Sequence, residues 1–206
     1  MTFSSYKSLG ETLKEFQTMY VEDNFIQELA FPVSQYFRDD LQFTLDEGVA
    51  DSTEYAICEN IVYPILKDVW KTYASRLTLW SHKYLNLDAQ LSGYPEYILA
   101  RRSPLGRIVF DKPYLMLVEA KQDDFDNAWG QCLAEMIAAQ RLNDIPDLTV
   151  FGIASNGNFW QFGKLEGNQF MKHKKFYTIQ NLDSLFAAIN FMFQQCDLQL
   201  KQFIAA

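Results

Sequence analysis

The sequence predicts an α/β (α+β) domain, a mixed β-sheet core flanked by helices. Three observations predict it. A chain of 206 residues, 49% hydrophobic and 16% aromatic, can bury a core without disulfides or structural metal. Helix-period stretches at both ends enclose a series of short strand-like segments. Residues 114–121 are almost continuously apolar, as a central strand should be.

The elements follow in order. Residues 5–47 read as helical, with Leu9, Leu13, Phe16 and Met19 near helical spacing. Phe25, Ile26 and Leu29 continue that pattern until Pro32 breaks it. A second helix holds Tyr36, Phe37, Leu41 and Leu45 and ends at Gly48. A long helix runs from about Thr53 to about Ser75, with Ile57, Ile61, Ile65 and Val69 as its apolar stripe. Asp51 and Glu54 suit a capping box at its start, and Pro64 should kink it. Strands are expected at residues 77–87, 96–102 and 114–121, with a loop at 103–112 containing Pro104 and Gly106. Residues 126–143 form an Ala-rich helix, and residues 148–154 a fourth strand. Asn156-Gly157 signals a two-residue hairpin turn into a fifth strand at 159–165. Residues 175–179 suit one more strand. Asn181 can cap a final helix with Leu182, Leu185, Phe186, Ile189, Phe193, Cys196, Leu200 and Phe203 on one stripe. Residues 1–50 thus read as a helical extension packed on a core at 51–206.

Composition bounds the function. Cys58, Cys132 and Cys196 are odd in number, widely spaced and set among apolar residues, so buried thiols in a reducing cytoplasm are expected. The first ten residues show no apolar signal region, and no apolar run approaches the ~20 residues of a membrane span. The net charge of −8 is lopsided. Residues 1–60 hold 3 Lys and Arg against 12 Asp and Glu, and residues 61–206 hold 15 against 14. The core is therefore close to neutral, and the average charge does not exclude nucleic acid. The acidic N-terminal helices read as a face for solvent, a protein partner or a second copy. GxxxxGK[ST], GxGxxG, HExxH and GxSxG are absent, which removes the usual nucleotide, zinc-protease and hydrolase signatures.

One local feature carries chemistry. Glu119 and Lys121 close an apolar strand and, two residues apart, project to one face. Charges at that place are costly unless paired, metal-bound or solvated. A second carboxylate, Glu96, lies in Gly-Tyr-Pro-Glu-Tyr. The 103–112 loop is centred midway between Glu96 and Glu119, so an antiparallel hairpin would set them opposite each other. Two facing carboxylates need a shared proton or a cation, and hard oxygen ligands without a His cluster favour Mg²⁺ or Mn²⁺. Arg101, Arg102 and Arg107 bracket the loop and offer phosphate contacts or a solvated surface. The basic run at 172–175 reads first as a solvated turn, and Trp129 and Trp160 as core residues.

Glu96, then Glu119-Ala-Lys121, then Gln131 ten residues later, resembles the PD-(D/E)xK nuclease superfamily. Ile153-Ala-Ser-Asn-Gly157-Asn-Phe-Trp160 is similar to the hairpin of its restriction-endonuclease-like branch, and the N-terminal nuclease domain of type I restriction R subunits is the nearest resemblance. It covers about residues 52–166. It implies an α-β-β-β-α-β core and metal-dependent hydrolysis of phosphodiester bonds, with DNA the expected substrate. Glu96 and Glu119 would hold Mg²⁺ or Mn²⁺, with Glu59, or in second place Glu54, completing the site from the first helix. Lys121 would orient water and offset charge, and Gln131 would position water or a phosphate. The superfamily's first acid is usually Asp, and here it is Glu96. An inactive nuclease-fold binding module is the alternative.

Overall fold

The computed structural model describes residues 2–145 and 147–205. The N-terminal segment holds helix α1 (Leu9–Phe16), strand β1 (Met19–Asp23) and helix α2 (Gln35–Glu47). A continuous helical rod follows, made of α3 (Glu54–Ile57), a π-helical turn (Cys58–Val62) and α4 (Tyr63–Tyr73). Next come β2 (Leu77–Ser81), a small ribbon of β3 (Leu85–Asn86) and β4 (Ser92–Gly93), and the hairpin β5 (Tyr97–Arg102) and β6 (Phe110–Ala120). Helix α5 (Phe125–Asn143) crosses to β7 (Val150–Ser155), then β8 (Phe159–Glu166), β9 (Gln169–His173), β10 (Tyr177–Thr178) and helix α6 (Leu182–Ala205).

The strands form a mixed sheet in the order β1-β9-β8-β7-β6-β5-β2, with β10 added against β8. β6 and β7 run parallel through the α5 crossover, β1 and β9 are parallel, and the other neighbours are antiparallel. The mixed sheet flanked by helices agrees with the expected class. Period-two alternation in β5 and β6 sorts the core into two layers. Leu99, Met116 and Val118 pack with the α3–α4 rod and α6, through Ile57, Ile61, Ile65, Ile189 and Phe193. Ile98 and Leu117 pack with α5, through Cys132, Leu133 and Met136. The expected stripe of the long helix is buried, and so is that of α6 from Leu185 to Leu200, whereas Leu182 is half-buried and Phe203 exposed; all three cysteines are free and buried.

Several expectations are corrected. Residues 19–23 are an edge strand rather than helix, and residues 24–34 have no regular structure. The helix stops because Gln17 turns into the left-handed region at φ 53°, its N–H returning to Leu13 and Lys14. The first 50 residues are therefore built into the sheet and its packing. Phe3, Tyr6 and Thr12 are buried, and α1 lies against α5 where Gly130 allows it. A Cβ on Gly130 would stand 2.8–2.9 Å from the backbone of Ser8, and Thr12 Oγ1 donates to the Gly130 carbonyl at 3.1 Å. The outer face of α2 leaves Tyr36 and Phe43 exposed.

The cap of the rod is Thr53, whose hydroxyl accepts from the Ala56 N–H at 3.0 Å, and Asp51 stays exposed. The disturbance expected at Pro64 takes the form of the π turn, where the Tyr63 N–H reaches back five residues to Cys58. β9, unexpected from sequence, supplies the partner that β1 needs. The 77–87 segment divides into β2 and β3. Gly157 and Asn158 form the tip of the β7–β8 hairpin, one residue later than expected, with φ +86° at the glycine. Glycine first in the tip is what a primed turn requires.

Candidate active site

The β5–β6 hairpin sets the two carboxylates opposite each other, but not through the expected loop: the connection spans only residues 103–109, and register shifts between Leu99 and Arg102 supply the remaining offset. Tyr97 pairs with Val118, Ile98 with Leu117 and Leu99 with Met116, and the next step along this register sets Glu96 against Glu119. Ile98 and Leu117 face α5. Glu96 and Glu119 lie two residues beyond them on the same face, and Lys121 follows Glu119. Both lie at the C-terminal end of β6 beside the parallel strand β7, where the Lys121 N–H donates to Ser155 at 3.0 Å. Open sheets of parallel strands characteristically bind ligands at this end.

A cavity of about 400 Å³ opens there. Glu54, Glu96, Glu119, Lys121, Gln131 and Glu135 line it, together with Tyr55, Tyr84 and Tyr94. Four of the expected site residues, Glu96, Glu119, Lys121 and Gln131, are thereby gathered in one place. Glu59 is not among the lining residues. It is exposed on the π turn, and Glu54 takes the helical position, 3.2 Å from Lys121 Nζ. Lys121 also stands 3.5 Å from Glu119. Arg101, Arg102 and Arg107 lie away from the cavity. Arg101 and Arg102 end β5 opposite Glu96 and line a second cavity with Arg76, and Arg107 belongs to the connecting loop. A six-residue strand at ~3.3 Å per residue separates them from the carboxylates by roughly 20 Å.

Glu135 is the member that sequence reasoning missed. It lies one helical turn beyond Gln131 on the inward face of α5 and is 1% exposed. Its carboxyl hydrogen-bonds that of Glu119, itself 3% exposed. Burial raises the pKa of both groups. The Glu119 charge raises that of Glu135 further, whereas Lys121 and the Glu96 N–H support the Glu119 carboxylate. The pair therefore shares a proton, held by Glu135 and directed at Glu119. Burial works to discharge Lys121, but Glu119, Glu54 and Glu96 outweigh it and raise its pKa above the usual lysine value.

Glu96 has two further side-chain partners. Its Oε2 lies 2.7 Å from His82 Nε2 and accepts from the Cys58 thiol at 3.4 Å. Ser81 Oγ contacts His82 Nδ1 at 2.8 Å, so the imidazole is itself oriented. Burial and the nearby Glu96 charge push the Cys58 thiol well above its usual value, making it a hydrogen-bond donor and not a nucleophile.

The donor set suits a hard divalent cation. Gln131 Oε1 and Glu135 Oε2 are buried polar oxygens without a hydrogen-bond partner, and such atoms are costly unless something satisfies them. Among the described residues, no three His, Cys, Asp or Glu side chains already converge as a cation site. His82 engages Glu96 and a shared proton joins Glu119 to Glu135, which leaves the buried Gln131 and Glu135 oxygens unpaired. No family model matches the chain, and no curated protein matches it in sequence.

The remaining candidates are structural. Trp129 Nε1 donates to Gln161 at 2.7 Å and Trp160 Nε1 to the Gly157 carbonyl at 2.9 Å, both inside the core. The basic run is absorbed locally: His173 Nδ1 accepts the Phe25 N–H at 3.1 Å, and Lys175 pairs with Glu28. Among the described residues, no helix is long and apolar enough to cross a membrane.

The shared proton has a thermodynamic consequence. Glu135 is protonated in the fold but ionises above its ordinary value of 4.5 once unfolded, so folding must take up a proton at neutral pH. That cost is absent below 4.5 and grows by about 1.4 kcal/mol per pH unit above it, until folded Glu135 also ionises. Glu135→Gln removes the proton but keeps a donor toward Glu119. It is expected to match wild type near pH 4 and to be more stable by about 1–3 kcal/mol at pH 7. Thermal melts against pH with a chelator present measure this. An unchanged pH slope would show that Glu135 is not held neutral.

Proposed function

We propose that the protein is a metal-dependent phosphodiesterase acting on nucleic acid, with the Glu96–Glu119–Lys121–Glu135 cavity as its active site. The observation that carries the reading is the convergence of Glu96, Glu119 and Lys121, 23 residues apart in their acidic members, on one cavity at the C-terminal end of a parallel strand pair. An acidic pocket with one buried lysine would repel a phosphate on its own, so the substrate needs a cation between it and the carboxylates. Glu119, Glu96 and Glu135 would hold Mg²⁺ or Mn²⁺, and the Gln131 carbonyl is a fourth oxygen donor at hand. Such an ion, when bound, polarises a phosphoryl oxygen and lowers the pKa of attached water.

The residues of the chain have separate tasks. Lys121, kept charged by Glu119 and Glu54, offsets negative charge on the phosphorane and orients the attacking water. Gln131, anchored on α5, presents its amide to water or to a neighbouring phosphate. The Glu119–Glu135 pair holds a proton that must leave before both oxygens serve a cation. Ser81, His82 and Cys58 keep Glu96 directed at the cavity.

Two measurements test the proposal. Calorimetry with Mn²⁺ should show binding to wild type and a loss of at least about tenfold in affinity for Glu119→Gln. Single- and double-stranded DNA and RNA should be assayed for cleavage with and without Mg²⁺ or Mn²⁺. Neither metal binding nor metal-dependent cleavage of any substrate would defeat the proposal.

A further inference from the structure

Three exposed tyrosines stand around the same cavity. Tyr84 is 47% exposed, Tyr94 66% and Tyr55 69%. Isolated exposed aromatics are unremarkable on a protein surface, but three from separate segments lining one cavity are not scattered. Tyr84 and Tyr94 pack on each other with ring centroids 5.0 Å apart, and they flank the β3–β4 ribbon. That ribbon is fixed from below. Leu85 and Leu91 are buried at 1% exposure each in the α5-side core. A Cβ on Gly93 would come within 2.9 Å of the Phe3 ring, so the ribbon lies tightly on the N-terminal segment. The rings are thus open to solvent on a rigid base, which lowers the ordering cost of stacking a ligand on them.

We propose that Tyr84 and Tyr94 form a stacking platform for an unpaired base, and hence that the substrate is single-stranded nucleic acid. The inference rests on the phosphodiesterase reading and specifies its substrate. Glu119 and Glu135 lie in the buried wall of the cavity, so the scissile phosphate must enter it. A free strand has the torsional freedom to place a phosphate inside while its adjacent base lies on the rim. Bases in a duplex are already stacked and must be extruded first. Aromatic rings take any base with little sequence preference, each contact being worth about 1–3 kcal/mol.

The test uses the full chain carrying Lys121→Ala, with Mg²⁺ present, and an aminopurine-labelled DNA strand offered alone or annealed. The single strand should bind more tightly than the duplex, with quenched aminopurine fluorescence. Tyr84→Ala and Tyr94→Ala should each weaken single-strand binding roughly tenfold and relieve the quench, because one stacked base is worth about that much. Tyr84→Phe and Tyr94→Phe keep the ring and should restore both signals. Cleavage assays with Lys121 intact run in parallel. If cleavage persists while single strand and duplex bind equally and the alanine variants change nothing, the platform is overturned and the phosphodiesterase reading stands. Tyrosine-dependent single-strand binding without cleavage under any metal supports the platform and removes the hydrolytic role. Absence of binding to either form overturns both. Since both side chains are solvent-exposed, unchanged circular dichroism is expected for every variant and separates lost stacking from lost folding.

Discussion

Lys121→Ala is expected to lower metal-dependent cleavage at least about 100-fold while leaving the protein folded. Removing one preorganised group that stabilises transition-state charge typically costs roughly 10²–10³ in turnover. Lys121 is the cation nearest Glu119 and Glu54, and its side chain is only 14% exposed, so solvent cannot replace it. The fold survives because Glu119 can accept a proton when its partner is removed, with Glu135 already sharing one. Turnover of wild type and variant should be compared at saturating metal and substrate, beside their melting temperatures. Full activity in a folded Lys121→Ala protein would remove lysine from the mechanism.

Trp160→Ala is expected to cost about 3–5 kcal/mol of stability, the range for emptying a large buried aromatic site. Trp160 is fully buried, and its indole N–H closes onto the Gly157 carbonyl. Gly157 in turn lies under the rod, where an added Cβ would meet Ile61 at 3.0 Å and Ile57 at 3.2 Å. The ring thus ties the β7–β8 turn to the helices that carry Glu54 and Tyr55. Denaturant unfolding measures the loss. Trp160→Phe, which keeps most of the volume but not the N–H, should retain more than half of the stability lost by alanine. Equal losses for both would place the whole effect in the hydrogen bond.

Local periodicity explains why much of the site was legible. Glu119 and Lys121 share a face because strands repeat every two residues. The facing of Glu96 and Glu119 is expected from a loop at 103–112; the loop is three residues shorter, and bulges between Leu99 and Arg102, which no local pattern announces, make up the difference. Glu135 was missed although a signal existed. It is the sole charged residue between Asp126 and Arg141 in an Ala-rich buried helix, one turn from Gln131, and lone buried acids are rarely idle. Choosing between Glu59 and Glu54 required the three-dimensional course of the rod, which contains a π turn that extrapolation at 3.6 residues per turn does not anticipate. The second edge of the sheet was illegible for a different reason. β1 has a short mixed pattern, and nothing within residues 19–23 names a partner at 169–173.

That pairing sets the order in which the protein can assemble. β1 and β9 are joined through residues 150 positions apart, so the sheet cannot be completed until nearly the whole chain has emerged. The β5–β6 hairpin, the α5 crossover and the β7–β8 hairpin need only near neighbours, and they contain Glu96, Glu119, Lys121, Gln131 and Glu135. The chemistry-bearing centre needs no contribution from β1, while β1 waits as an unpaired strand until β9 is available. The acidic N-terminal stretch is made first and waits for β9, and pairing Met19–Asp23 with it then closes that edge of the sheet.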